Sequence, residues 1–217
     1  MLKQMNKLLR YLFFATIVKF VVLIIMGLNV RHREKLPSKG PAIIIANHNS
    51  HLDTLVLISL FKLKLLPQIH PVAAADYFLT SKLFAWFSKE LIGIIPINRI
   101  DGIKQGVDPL TPCYKALDEG QILILFPEGT RGEPEKLSEF KKGVFHLGEK
   151  YPNVPIIPIF MHGLGKALPK GEYLFVPFFC DIFIGDAFFC KTEKEEFMKE
   201  LNERFEQLSS EGDHSSQ

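Results

Sequence analysis

Short apolar runs separated by polar turns set the pattern of this chain. Residues 42–46 (AIIIA) form a five-residue run, too short for a helix and bounded by turn residues, and read as a buried strand. Residues 54–61 follow as a buried helix. Residues 72–75, 94–95, 121–126 and 154–160 repeat the strand signal, and 172–190 read as two further strands separated by turns. A helix from Asp76 through Leu79, Leu83, Phe84 and Phe87 is expected, as is an amphipathic one over 112–119 stopped by Gly120. A charged helix from Thr192 to about residue 208 closes the pattern, and the polar tail 209–217 is expected to lack order.

The N-terminal part differs. Residues 11–30 are nearly all apolar, broken by Thr16, Lys19 and Asn29, and 20 residues are enough to cross a bilayer as a helix. Lys19 near the centre costs about 2.5–3.5 kcal/mol on insertion scales. Basic residues flank both ends, and no small-residue cleavage site of a signal peptide follows. The segment 1–33 is therefore expected to attach to a membrane, as a span or a helix dipping into one leaflet; a core helix is the alternative. Pro37, Gly40 and Pro41 mark a linker before a domain over 34–208.

Composition narrows the class. The 217 residues suit one domain, and 47% hydrophobic content with 19 phenylalanines suits a protein that handles lipid. A net charge of +2 leaves no footprint for nucleic acid. Cys113, Cys180 and Cys190 lack paired spacing, which fits a reducing compartment and no disulfide framework.

Chemistry concentrates where apolar runs end. NHNSHLD (47–53) lies between the first strand and its helix. On one continuous helix His48 and Asp53 would stand about 140° apart, so they meet only if the chain turns between them. Asn49 and Ser50 supply turn and cap chemistry. A carboxylate against an imidazole fixes its tautomer and stabilises the imidazolium, making His48 a candidate general base. Two other readings of these residues stand: a helix cap beside a surface histidine, and a metal site of His48, His51 and Asp53. GIIPINR (93–99) offers Arg99, and FPEGTR (126–131) offers Arg131, each a planar fork suited to phosphate. Gly129 lets backbone approach a ligand closely. If the strands run in one direction, these turns converge on one crevice at their carboxyl ends.

NHNSHLD resembles the H-x-x-x-x-D signature of the glycerolipid acyltransferases, the 1-acyl-glycerol-3-phosphate acyltransferase family. GIIPINR, FPEGTR and VPIIPIF (154–160) resemble three further blocks in that family's order, and FKKG (140–143) resembles another. The resemblance covers roughly residues 30–190. It implies an α/β fold: a single domain with a mixed central sheet flanked by helices. It implies an O-acyltransferase of phospholipid synthesis in which His48 and Asp53 are catalytic. The acceptor hydroxyl of a lysophospholipid, most simply 1-acyl-glycerol-3-phosphate, attacks an acyl-CoA or acyl-carrier-protein thioester directly, with no cofactor beyond that donor. Arg99, Glu128, Gly129, Thr130, Arg131 and Lys141 are expected to hold the acceptor's phosphate end. The expected surroundings are a phospholipid membrane with the active site on its cytoplasmic side, and no nucleic acid.

The sequence departs from the family twice. Asn98 replaces a customary Asp before Arg99. Ala74 and Ala75 replace a lysine pair after the second strand, so another lysolipid or glycerol 3-phosphate stays open as acceptor. Two readings from other classes remain, a metal-dependent hydrolase and a non-catalytic lipid-binding membrane protein.

Overall fold

In the computed structural model, which describes residues 2–22, 27–50, 52–78, 81–98, 106–130, 132, 137–167, 180–191 and 193–214, seven strands build one sheet. They are β1 (Leu28–Arg31), β2 (Ala42–Ala46), β3 (Ile69–Ala74), β4 (Ile95–Ile97), β5 (Ile122–Leu125), β6 (Ile156–His162) and β7 (Cys180–Ile184). Their order is β1-β7-β6-β2-β5-β3-β4. All neighbours pair in parallel except β6 and β7, so the sheet is mixed.

Burial on both faces explains why β2 reads as an unbroken apolar run. Ala42, Ile44 and Ala46 join one cluster with Val56 and Leu57 of helix α2 (Asp53–Ser59), whereas Ile43 and Ile45 join another on the opposite face. Each of these β2 isoleucines is 0% exposed, worth about 1.5–3 kcal/mol of burial apiece. The opposite face is covered by helices over Thr111–Asp118, Gly143–Lys150 and Lys194–His214. The last of these buries Phe197, Leu201, Phe205 and Leu208, one residue per turn. It continues to His214, so the tail expected to begin at residue 209 is helical for its first six residues.

The apolar stretch 11–30 does not form one long helix. Helix α1 (Leu2–Phe13) continues into a π-helical turn at Phe14–Val18, and Phe14, Val18 and Val22 bury in the cluster beneath β2. Gly27 then takes φ +52° and the chain becomes β1, paired with β7. The protein's own core takes Phe14, Val18 and Val22, whereas Leu12, Ile17 and Phe20 of the same segment stay exposed. Among the described residues no helix is long and apolar enough to cross a membrane.

Candidate active site

β2, β6, β5, β3 and β4 are mutually parallel, so their carboxyl ends share one edge. The condition for the polar turns to converge is met. The chain leaves β2 through Asn47, which is 1% exposed. Its Nδ2 donates to the Met161 carbonyl at 2.9 Å, and the Met161 N–H donates to its Oδ1 at 2.7 Å. The amide thereby extends the pairing of β2 with β6 by one residue and fixes where the next residue, His48, begins.

The turn then brings His48 Nδ1 to 2.8 Å from Asp53 Oδ2. The same oxygen accepts the N–H of Asn49 at 2.7 Å and of Ser50 at 2.8 Å. Three donors, two of them backbone N–H groups of the turn, set the position of this carboxylate oxygen. Asp53 is the first residue of α2, and its side chain turns back over the preceding loop, which is why a five-residue offset closes. Its side chain is 0% exposed and that of His48 is 20% exposed, so the carboxylate is sheltered and the imidazole open. With Nδ1 facing the carboxylate, Nε2 is the nitrogen left for a substrate proton.

β5 delivers the second half of the site. Phe126 stacks on the His48 ring at 4.1 Å and 20°. The Gly129 N–H donates to the Phe126 carbonyl at 3.0 Å, closing a tight turn with Gly129 at φ +75°, a conformation that favours glycine. Inside that turn Glu128 points inward and is 2% exposed. It accepts the His48 N–H at 2.8 Å through Oε1 and the Ser138 N–H at 3.2 Å through Oε2. Burial pushes its carboxyl above the usual range, against the pull of these donors. The His48 carbonyl in turn accepts the Gly132 N–H at 3.0 Å. Both sides of the His48 backbone are thus held by the 126–132 turn.

Of the residues expected to hold the phosphate, the described ones touch different neighbours. Thr130 is exposed on the turn, and Lys141 is exposed with its N–H donating to the Pro127 carbonyl at 2.7 Å. Glu128 faces the histidine backbone. Arg99, Arg131 and His51 lie outside the described residues. β4, which leads to Arg99, stands three strand spacings from β2, about 14 Å. Asn47, Phe126 and Ser138 carry contacts that sequence reasoning gave no role. Only the position of Phe126, ending an apolar strand beside the polar turn, could have signalled one.

The fold and site define an α/β protein with a sheltered carboxylate behind an open histidine at the carboxyl ends of parallel strands. The sequence profile of the Acyltransferase family matches residues 27–162, and the chain belongs to that family. It is 34% identical over 146 residues to the chloroplastic 1-acyl-sn-glycerol-3-phosphate acyltransferase LPAT1 of Arabidopsis thaliana, covering 67% of this chain and 38% of that protein. It is 29% identical over 185 residues to the 1-acyl-sn-glycerol-3-phosphate acyltransferase of Pseudomonas aeruginosa, covering 84% of this chain and 67% of that one. The crystal structure of the 1-acyl-sn-glycerophosphate acyltransferase PlsC from Thermotoga maritima superposes with a TM-score of 0.72 at 20% identity, over 96% of this chain and 97% of that one.

Proposed function

We propose that the protein is an O-acyltransferase that moves a fatty acyl group from a thioester to the free hydroxyl of 1-acyl-glycerol-3-phosphate. The observation that carries this is the 2.8 Å contact between an open His48 and a fully sheltered Asp53. Transfer needs the hydroxyl deprotonated as it attacks. His48 Nε2 takes that proton while Asp53 Oδ2 holds Nδ1–H and balances the imidazolium charge. The acceptor oxygen bonds to the thioester carbon, the carbon–sulfur bond breaks, and the imidazolium returns its proton to the leaving thiolate. Base catalysis of this kind is worth roughly 10²- to 10⁴-fold. The donor is acyl-CoA or acyl-carrier protein. Arg99 and Arg131 bind the acceptor phosphate, with Gly129, Thr130 and Lys141 lining its approach. Glu128, whose carboxylate is turned to the His48 backbone, positions the base.

The protein works at a membrane surface. Leu8, Leu12, Ile17 and Phe20 on the N-terminal helical segment are 48–58% exposed, and Leu83 nearby in sequence to Trp86 is 77% exposed. Apolar exposure on this scale, interleaved with Lys7, Lys19 and Lys82, suits a helix lying in the headgroup region.

The test mixes purified protein with acyl-CoA or acyl-carrier protein and a panel of acceptors: lysophosphatidic acid, glycerol 3-phosphate and neutral-headgroup lysolipids. Products are identified by mass spectrometry, with His48→Ala alongside. A His48-dependent diacylated phosphate is expected. Equal product from wild type and His48→Ala would refute the mechanism, and product only from another acceptor would replace the substrate.

A further inference from the structure

A cavity of about 360 Å³ lies far from His48. It is bounded by α1, the 3₁₀ turn Leu63–Gln68, the start of β3 and the π-helical turn Phe87–Ile92. Ile69 and Gly93 mark the amino ends of β3 and β4, so the cavity opens at the edge of the sheet opposite the catalytic turns.

Its charge is unbalanced. Arg10 in α1 is 8% exposed, and its Nη2 donates to the carbonyls of Ile69 at 2.8 Å and Ile92 at 3.1 Å. It makes no ion pair among the described residues, and its Nε is buried without a partner. Burial alone lowers its pKa to about 10, the signature of a desolvated cation lacking a counter-ion. Gly93 leaves the room for this: a Cβ there would stand 2.6 Å from Nη2. Two exposed cations, Lys7 and Lys89, line the same cavity. Against these three charges stands Glu90, which accepts the Asn6 amide at 2.7 Å. A buried cation without a partner is costly, and an anion entering the cavity offsets that cost.

The surroundings say which anion. At 3.6 residues per turn, Lys7 and Tyr11 sit on the flank of α1 between the buried side carrying Arg10 and the exposed side carrying Leu8 and Leu12. The mouth of the cavity therefore borders an exposed apolar stripe. A soluble anion gains nothing from that stripe, whereas a lipid presents a charged head beside acyl chains.

We infer that this cavity binds the phosphate headgroup of an anionic membrane phospholipid, at a site separate from the one that binds the acceptor. The inference rests on the membrane-surface reading above. Lys7 and Lys89 grip the phosphate from the rim, the Arg10 guanidinium supplies the field behind it, and α1 lies along the bilayer with Leu8 and Leu12 in the headgroup layer. The bound lipid orients the protein on the surface; it is not consumed.

The test is flotation of the full-length protein with phosphatidylcholine vesicles, with and without phosphatidylglycerol. Lys7→Gln/Lys89→Gln is compared with Lys19→Gln/Lys82→Gln, a charge-matched pair beside the exposed apolar residues that does not line the cavity. Generic attraction of roughly fivefold per lysine acts on both pairs alike, so their difference isolates the cavity. The cavity pair is expected to lose about tenfold more of its phosphatidylglycerol-dependent binding than the control. Equal losses overturn the site. Displacement of the vesicles by low-millimolar inorganic phosphate, lost in the cavity pair, overturns the lipid assignment in favour of a free phosphate. Acyl transfer in neutral detergent micelles is followed in parallel. Unchanged transfer by the cavity pair supports a site separate from the acceptor's, and a drop to a tenth or less overturns that separation. Absence of transfer by wild type refutes the proposed reaction and leaves the flotation comparison standing.

Discussion

Replacing Asp53 by Asn separates the charge of the dyad from its geometry. Asp53 Oδ2 accepts from His48 Nδ1, Asn49 N–H and Ser50 N–H, whereas Oδ1 is buried without a partner among the described residues. An asparagine therefore has one acceptable orientation. Its oxygen must meet the two backbone donors, and its NH₂ must take the place of Oδ1. The imidazole keeps its hydrogen bond and its tautomer, and only the negative charge disappears. Two unit charges about 4 Å apart at an effective dielectric near 20 interact by about 4 kcal/mol. At about 1.4 kcal/mol per decade, and with some screening through the open side of His48, kcat is expected to fall about 10²- to 10³-fold. Asp53→Ala is different, because it leaves two buried backbone N–H groups without an acceptor at about 1–3 kcal/mol each. Asp53→Ala is expected to melt lowest, because His48 Nδ1 loses its acceptor as well, and Asp53→Asn between it and wild type, because its NH₂ occupies a buried place that offers no acceptor. A thioester-release assay and thermal unfolding of both variants check this. Asp53→Asn with more than about a third of wild-type kcat would refute the electrostatic role, and Asp53→Ala as stable as Asp53→Asn would refute the three-donor account.

Three further outcomes are expected. Asn47→Ala removes both bonds to Met161 and orphans a buried N–H and carbonyl, costing about 2–4 kcal/mol, read from urea unfolding; a loss below about 0.5 kcal/mol would show the strand ends hold without it. His70, whose Nδ1 donates to the Gly93 carbonyl, has its pKa lowered from 6.5 chiefly by burial, so the unfolded chain binds the proton first. Its contribution is complete above 6.5 and is lost as pH falls from there through the lowered value, so wild type should lose stability relative to His70→Asn on acidification; parallel pH curves would contradict this. Chelator is expected to leave acyl transfer unchanged, whereas a loss restored by zinc would favour a hydrolase built on His48, His51 and Asp53.

The legible parts of the sequence were those where one physical demand acts alone. Residues 42–46 read as a strand because a parallel strand buried on both faces has no reason to alternate. At 47–53 the turn residues only allowed His48 and Asp53 to meet, and the resemblance to the acyltransferase signature set that reading above a helix cap or a metal site. Long-range contacts were not legible. Nothing near Asn47 in sequence points to Met161, and nothing near Glu128 says that its carboxylate caps the His48 N–H instead of facing a ligand. The stretch 11–30 was legible only in part. Its uniform apolarity hides the change from helix to strand at Gly27, and composition alone does not distinguish burial under a protein's own sheet from burial in lipid.

The double hold on the His48 backbone, through Glu128 on its N–H and Gly132 on its carbonyl, has an evolutionary consequence. The turns at 47–53 and 126–132 are two halves of one part, although they are separated by more than seventy residues of chain. Neither half is free to drift without the other. A chimera that imports one turn from a relative inherits a histidine seated against a foreign cradle, and the two segments exchange between family members only as a pair.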